Sequence, residues 1–182
     1  MKKFMIYVVF YLYLACPVAN AQSSNEVLDD LYHALVSADN PNTSHQILNQ
    51  IEQQFLIGPD DRSTKLLSDS IDYMAKGQTT IALNRLNYIT ETYPNFAEPW
   101  NRKGLLHYYL NAYTKSLNSL NKVLEIEPRN IFAYIGAGKI FRSRNELDKA
   151  LAMYKKVLQY HPYNQVALAE ISNIEKIIGQ ET

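Results

Sequence analysis

Three consecutive windows of 34 residues, starting at Ser63, Ala97 and Ile131, place like side chains at like positions without a gap between them. Position 4 is Leu66, Trp100 or Tyr134; position 8 is Ser70, Gly104 or Gly138; position 11 is Tyr73, His107 or Phe141. In the second half, position 20 is Ala82, Ser116 or Ala150, position 24 is Leu86, Leu120 or Tyr154, and position 27 is Ile89, Val123 or Val157. Position 32 is always proline: Pro94, Pro128 and Pro162. A unit this short cannot enclose a core of its own. It must bury its apolar face against the next copy, so the chain is expected to be a stack of repeats.

Each window reads as two helices folded back on each other. In the middle one, Trp100, Gly104, His107 and Tyr108 recur at steps of three and four, which places them on one helical face. Asn111 and Ala112 interrupt, and Ser116, Leu120, Val123 and Leu124 resume the stripe on a second helix. Small residues at positions 8 and 20 let the helix axes approach, and the large residue at position 4 fills the space beside them. Proline at position 32 lacks an amide hydrogen and disfavours helix in the residue before it, so it ends the second helix. The turn inside each window carries Gly77, Asn111 or Asn145, residue types that tolerate a left-handed backbone.

The pattern resembles the tetratricopeptide repeat (TPR) family, which has a large residue, Gly, Tyr, Ala, an aromatic, Ala and Pro at these positions. The resemblance implies an all-α fold: a short right-handed superhelix of antiparallel helical hairpins. Trp100, Gly104, Ser116, Leu120, Pro128, Tyr134, Gly138, Ala150, Tyr154 and Pro162 are then its structural core positions, with Trp100 expected as the main buried anchor.

Before the repeats, residues 1–21 read as a signal peptide. Lys2 and Lys3 precede an apolar run from Phe4 to Ala15, and Ala19-Asn20-Ala21 fits a cleavage site. The run is shorter than the roughly 20 residues a spanning helix needs. Lipidation at Cys16 ranks second, because Tyr13 stands where that motif has Leu. The expectation is an exported chain, periplasmic or otherwise extracytoplasmic, meeting a membrane only if Cys16 is lipidated. Residues 22–62 contain two apolar stripes, read as an atypical helical hairpin that caps the open end of the stack. Repeats follow at 63–96, 97–130 and 131–164, and residues 165–182 supply a closing helix and tail.

Basic and acidic residues balance at 18 each, and removal of Lys2 and Lys3 leaves a small acidic excess. That balance argues against nucleic-acid binding, which needs a concentrated basic surface. Cys16 is the only cysteine, so the exported chain has no disulfide and no thiolate metal site. His33, His45, His107 and His161 form no metal-ligand spacing. Gly136-Ala137-Gly138-Lys139 fails as a phosphate loop, because Ala133 stands where the first glycine belongs and Ile140 where Ser or Thr would bind magnesium. The sequence therefore points to no catalysis, no cofactor, no metal and no small-molecule substrate.

By the TPR resemblance, the first helix of each repeat lines a concave groove. The resemblance places Asn101, Leu105, Tyr108 and Tyr109 there from one repeat and Phe132, Ile135, Lys139 and Arg142 from the next, with Glu98 also facing it. The first repeat would add Leu67, Ile71 and Met74, giving an apolar end opposite a cationic one. Such a groove suits a protein or peptide segment with an apolar anchor and an acidic group. TPR domains that clamp a terminal carboxylate use Lys and Asn at positions 5 and 9, where this chain has Leu67 and Ile71, then Asn101 and Leu105. The second reading is a structural subunit that docks through an end of the stack.

Overall fold

The computed structural model describes residues 24–180, and the expected signal peptide and Cys16 lie outside them. Nine helices form among the described residues: α1 Ser24–Val36, α2 Pro41–Phe55, α3 Asp61–Ala75, α4 Thr79–Thr92, α5 Ala97–Tyr109, α6 Tyr113–Ile126, α7 Ile131–Ser143, α8 Leu147–Tyr160 and α9 Gln165–Gln180. None of them is long and apolar enough to cross a membrane. From α3 to α9 each helix packs on the next, so the fold is an all-α solenoid.

Local chemistry sets the boundaries. Asn40 caps α2 by accepting from the amides of Asn42 and Thr43, and Pro41 occupies the first turn, where its missing amide hydrogen costs nothing. Asp60 and Ser63 form a reciprocal capping box at α3. Inside the repeats, Gly77, Asn111 and Asn145 adopt left-handed φ of 69°, 55° and 58°. The turn amides then reach back to the preceding helix, as Ala112 N does to His107 O at 2.8 Å.

The large-small pairing of the repeat has a specific geometry. A Cβ on Gly104 would lie 2.9 Å from Leu120, and one on Gly138 would lie 2.9 Å from the Tyr154 ring, so position 8 is kept small by position 24 of the same repeat. Ser116 at position 20 donates its Oγ to Gly104 O at 2.7 Å, fixing α6 against α5. Tyr154 is among the largest fully enclosed side chains.

Several expected core positions lie elsewhere. Trp100 is only half-buried: its Nε1 donates to Pro94 O at 3.1 Å, and Lys103 Nζ sits 4.9 Å over its ring. Tyr134 is half-buried in the same way, with its hydroxyl donating to Pro128 O at 3.0 Å. In both, the polar tip reaches the loop ahead of the helix, which draws the ring to the edge of the core. Pro128 and Pro162 are exposed and end helices without filling the interior.

The N-terminal hairpin is the main departure from expectation. Tyr32, Leu35, Ile51 and Phe55 form a core shared with Phe132 and Tyr160 of the third repeat, and α1 packs on α8. The hairpin thus folds across to the far repeat, where the reading of it as an end cap had placed it beside the first. Ring contacts hold it there: Phe55 meets Phe132 edge-on with centroids 6.4 Å apart, and Tyr32 meets Tyr160 at 6.3 Å. Arg129 adds an ion pair to Asp29 at 2.7 Å and lies 4.6 Å over the Tyr32 ring.

Candidate protein-binding groove

Helices α5 and α7 present their sequence-expected residues to one cavity of about 350 Å³. Asn101, Leu105, Tyr108, Tyr109, Phe132, Ile135 and Lys139 all line it. The floor is made by Gly104, Gly136, Ser116 and Leu120, where the absence of a Cβ at Gly104 and Gly136 brings Leu120 up against the helix backbones. Glu52 and Phe55 of α2 close one side. Sequence reasoning missed these two, because the hairpin lies outside the repeat and carries no periodic signal of where it docks.

Arg142 does not line the cavity. Its Nε lies 3.9 Å from Glu170 Oε2, so α9 supplies a partner that the repeat windows do not contain. Lys139 is exposed at the cavity mouth and makes no ion pair among the described residues. The first repeat does not furnish an apolar end either. Leu67 is enclosed in the core with Leu86 and Leu106, and Ile71 and Met74 pack partly against that cluster.

Glu98 is 3% exposed and stands at the cavity wall. Asn101 Nδ2 donates to it at 3.1 Å and Arg102 Nε at 2.6 Å. Burial nevertheless holds its carboxyl above the ordinary range, and the nearby Arg102 charge and the two hydrogen bonds only partly oppose this. Arg102 is therefore committed to Glu98, and Lys139 is the other cation that lines the cavity. Above these groups, Tyr109 is 69% exposed and Leu105 36%, with Leu110 beyond them at 52%. Large apolar side chains clustered in the open beside a cavity are a mark of an interaction surface.

Among the described residues, no group of three or more His, Cys, Asp and Glu side chains is placed to hold a metal ion. His107 lies at a shallow basic depression beside Trp100, Lys103 and Lys115, away from the cavity. The arrangement is that of a repeat scaffold with a mixed apolar and polar concave site.

Comparison with known proteins agrees with that class. Residues 97–130 match the tetratricopeptide repeat family. Among solved structures, the first TPR of Spaghetti (RPAP3) bound to the HSP90 peptide SRMEEVD is 17% identical, with 66% of this chain and 96% of that one covered at a TM-score of 0.62. The Sgt2 TPR domain from Aspergillus fumigatus is 13% identical over 68% of this chain and 83% of its own, at 0.61. The MamA protein is 18% identical over 86% of this chain and 83% of its own, at 0.60. No curated protein matches the sequence. The chain therefore carries a tetratricopeptide repeat and has the fold of TPR domains.

Proposed function

We propose that this chain binds a segment of another protein in the concave groove lined by α5 and α7, after export through residues 1–21. The observation that carries the reading is the exposure of Leu105 and Tyr109 at the rim of a cavity whose floor is glycine and leucine. An apolar side chain of the partner fills the cavity, and an acidic group nearby meets the Lys139 ammonium, a charge-assisted contact. The Spaghetti TPR domain, bound to a peptide in its solved form, supports the reading by example of the fold.

The second reading, docking through an end of the stack, is supported by Val166 and Leu168, which are exposed on α9. Ile174 does not belong to such a surface, because it is fully enclosed against α8.

The test is affinity capture from an envelope extract with residues 22–182, in parallel with a Tyr109→Ala, Lys139→Glu variant shown to be folded by circular dichroism. A partner retained by the wild type and lost by the variant is the expected result. Retention by both, with loss on Val166→Glu, Leu168→Glu, moves the interface to the end of the solenoid.

A further inference from the structure

The α1–α2 hairpin sits on the third repeat as a bound ligand would. Its α2 stripe of Ile47, Leu48, Ile51 and Phe55 recurs at helical spacing, and Phe55 inserts beside Phe132 at the cavity edge. We propose that α2 is a built-in occupant of the concave face at α7, and that the partner segment is an amphipathic helix with the same signature, two aliphatic residues and an aromatic at i, i+4 and i+8, which displaces it. This rests on the groove reading above and names the class of segment the groove takes.

Two observations support displacement over permanent packing. Two polar atoms of the hairpin, Tyr32 Oη and Ser44 Oγ, are buried without a hydrogen-bond partner among the described residues, and Asn130 Nδ2 at the start of α7 is a third. Buried polar groups that go unpaired are disfavoured relative to the open, hydrated state. On its other side the hairpin borders an open cleft of about 590 Å³, lined by Leu28, Phe55 and Ile57 and by the solenoid residues Phe96 and Ile126. Its polar attachments to the solenoid include the Asp29–Arg129 ion pair and the Tyr163 hydroxyl donating to Asp39 O at 3.0 Å. The hairpin is joined to α3 by the short stretch around Gly58 and Pro59, which is anchored on the first repeat by Gly58 N donating to Thr64 Oγ1 at 2.8 Å, so displacement of α2 leaves the chain attached there.

The probe is a fluorescently labelled synthetic peptide of residues 41–57. Its binding is measured by polarisation against the full exported chain, against a loosened Asp29→Lys, Phe55→Ala variant, and against that variant with Phe132→Asp added. The loosened chain is expected to bind at least about tenfold more tightly than the wild type, and Phe132→Asp to abolish the gain. Equal binding by loosened and wild-type chains, or binding indifferent to Phe132→Asp, overturns the proposal. Hydrogen exchange on the unmutated chain gives an independent reading. Amides of α1 and α2 should exchange at least about tenfold faster than those of α5 to α8, and exchange at a common rate overturns it. If the peptide does not bind while groove variants still abolish capture, this inference fails and the groove reading stands. If the peptide binds and capture survives the groove variants, the groove reading fails alone.

Discussion

Phe55 and Phe132, 77 residues apart in sequence, meet edge-on with ring centroids 6.4 Å apart, and their contact joins the N-terminal hairpin to the third repeat across the concave face. Edge-to-face pairs contribute about 0.5–1.5 kcal/mol beyond the area they bury. A double-mutant cycle with Phe55→Ala and Phe132→Ala, read by urea denaturation, is expected to return a coupling energy in that range. A coupling near zero would place the hairpin somewhere other than on α7.

Gly138 and Gly179 respond in opposite directions to alanine. At Gly138 the new methyl meets the enclosed Tyr154 ring at 2.9 Å, and overpacking of this kind costs about 1–3 kcal/mol. At Gly179 an added methyl would meet nothing within 4 Å beyond its own helix backbone, so alanine gains helix propensity of up to about 1 kcal/mol, less to the extent that the helix end frays. Thermal melts of the two variants should move apart, Gly138→Ala downward and Gly179→Ala upward.

Tyr154 and Trp100 separate burial from size. The Tyr154 hydroxyl is buried without a hydrogen-bond partner among the described residues, and burial pushes its pKa well above the usual tyrosine range. Tyr154→Phe removes an unpaired polar atom and keeps the ring, so stability is expected to hold or rise by about 1 kcal/mol. Tyr154→Ala empties a fully enclosed site and should cost about 3–5 kcal/mol, whereas Trp100→Ala, at a half-buried site, should cost less than that. Equal losses would show Trp100 to be the core anchor that its position in the repeat suggests.

His161 links stability to pH. Its pKa is held below the ordinary range first by burial and then by the neighbouring His45. Asn164 Oδ1 accepts from Ala167 N at 2.9 Å, so its amide nitrogen faces His161 Nδ1 at 3.1 Å and that ring nitrogen accepts. Protonation breaks this bond. Because the folded pKa lies below the unfolded one, the unfolded chain takes up the proton first. The stabilisation is present above about pH 6.5 and is lost as pH falls from there towards the lower folded value. His107, also lowered by burial, has the same sign, whereas Glu98, raised by burial, has the opposite sign. The melting temperature should fall from pH 7 to pH 5.5, and His161→Gln should flatten that slope.

The repeat helices were legible because each carries its own local marks: proline at the exit, Asn or Gly at the left-handed turn, and a small residue wherever a large one faces it. The shared cavity-lining face of α5 and α7 was legible for the same reason, since position within a repeat sets the face on which a side chain lies. The docking of α1 and α2 was not. Tyr32, Ile51 and Phe55 form an ordinary amphipathic stripe, and a stripe records that a surface is covered without recording by what. Arg142 was misplaced similarly, because its partner Glu170 belongs to α9, outside the repeats. Trp100 occupies the position of an anchor, yet its indole nitrogen is drawn outward to Pro94 O, and position alone does not show that.

Binding in the concave groove is tested most directly by amide chemical-shift mapping of residues 22–182 titrated with the captured partner segment. The predicted result is a cluster of shifts at Asn101, Leu105, Tyr108, Tyr109, Phe132, Ile135 and Lys139, accompanied by shifts in α2. Shifts confined to the exposed face of α9 around Val166 and Leu168, with α5 and α7 unmoved, would contradict it.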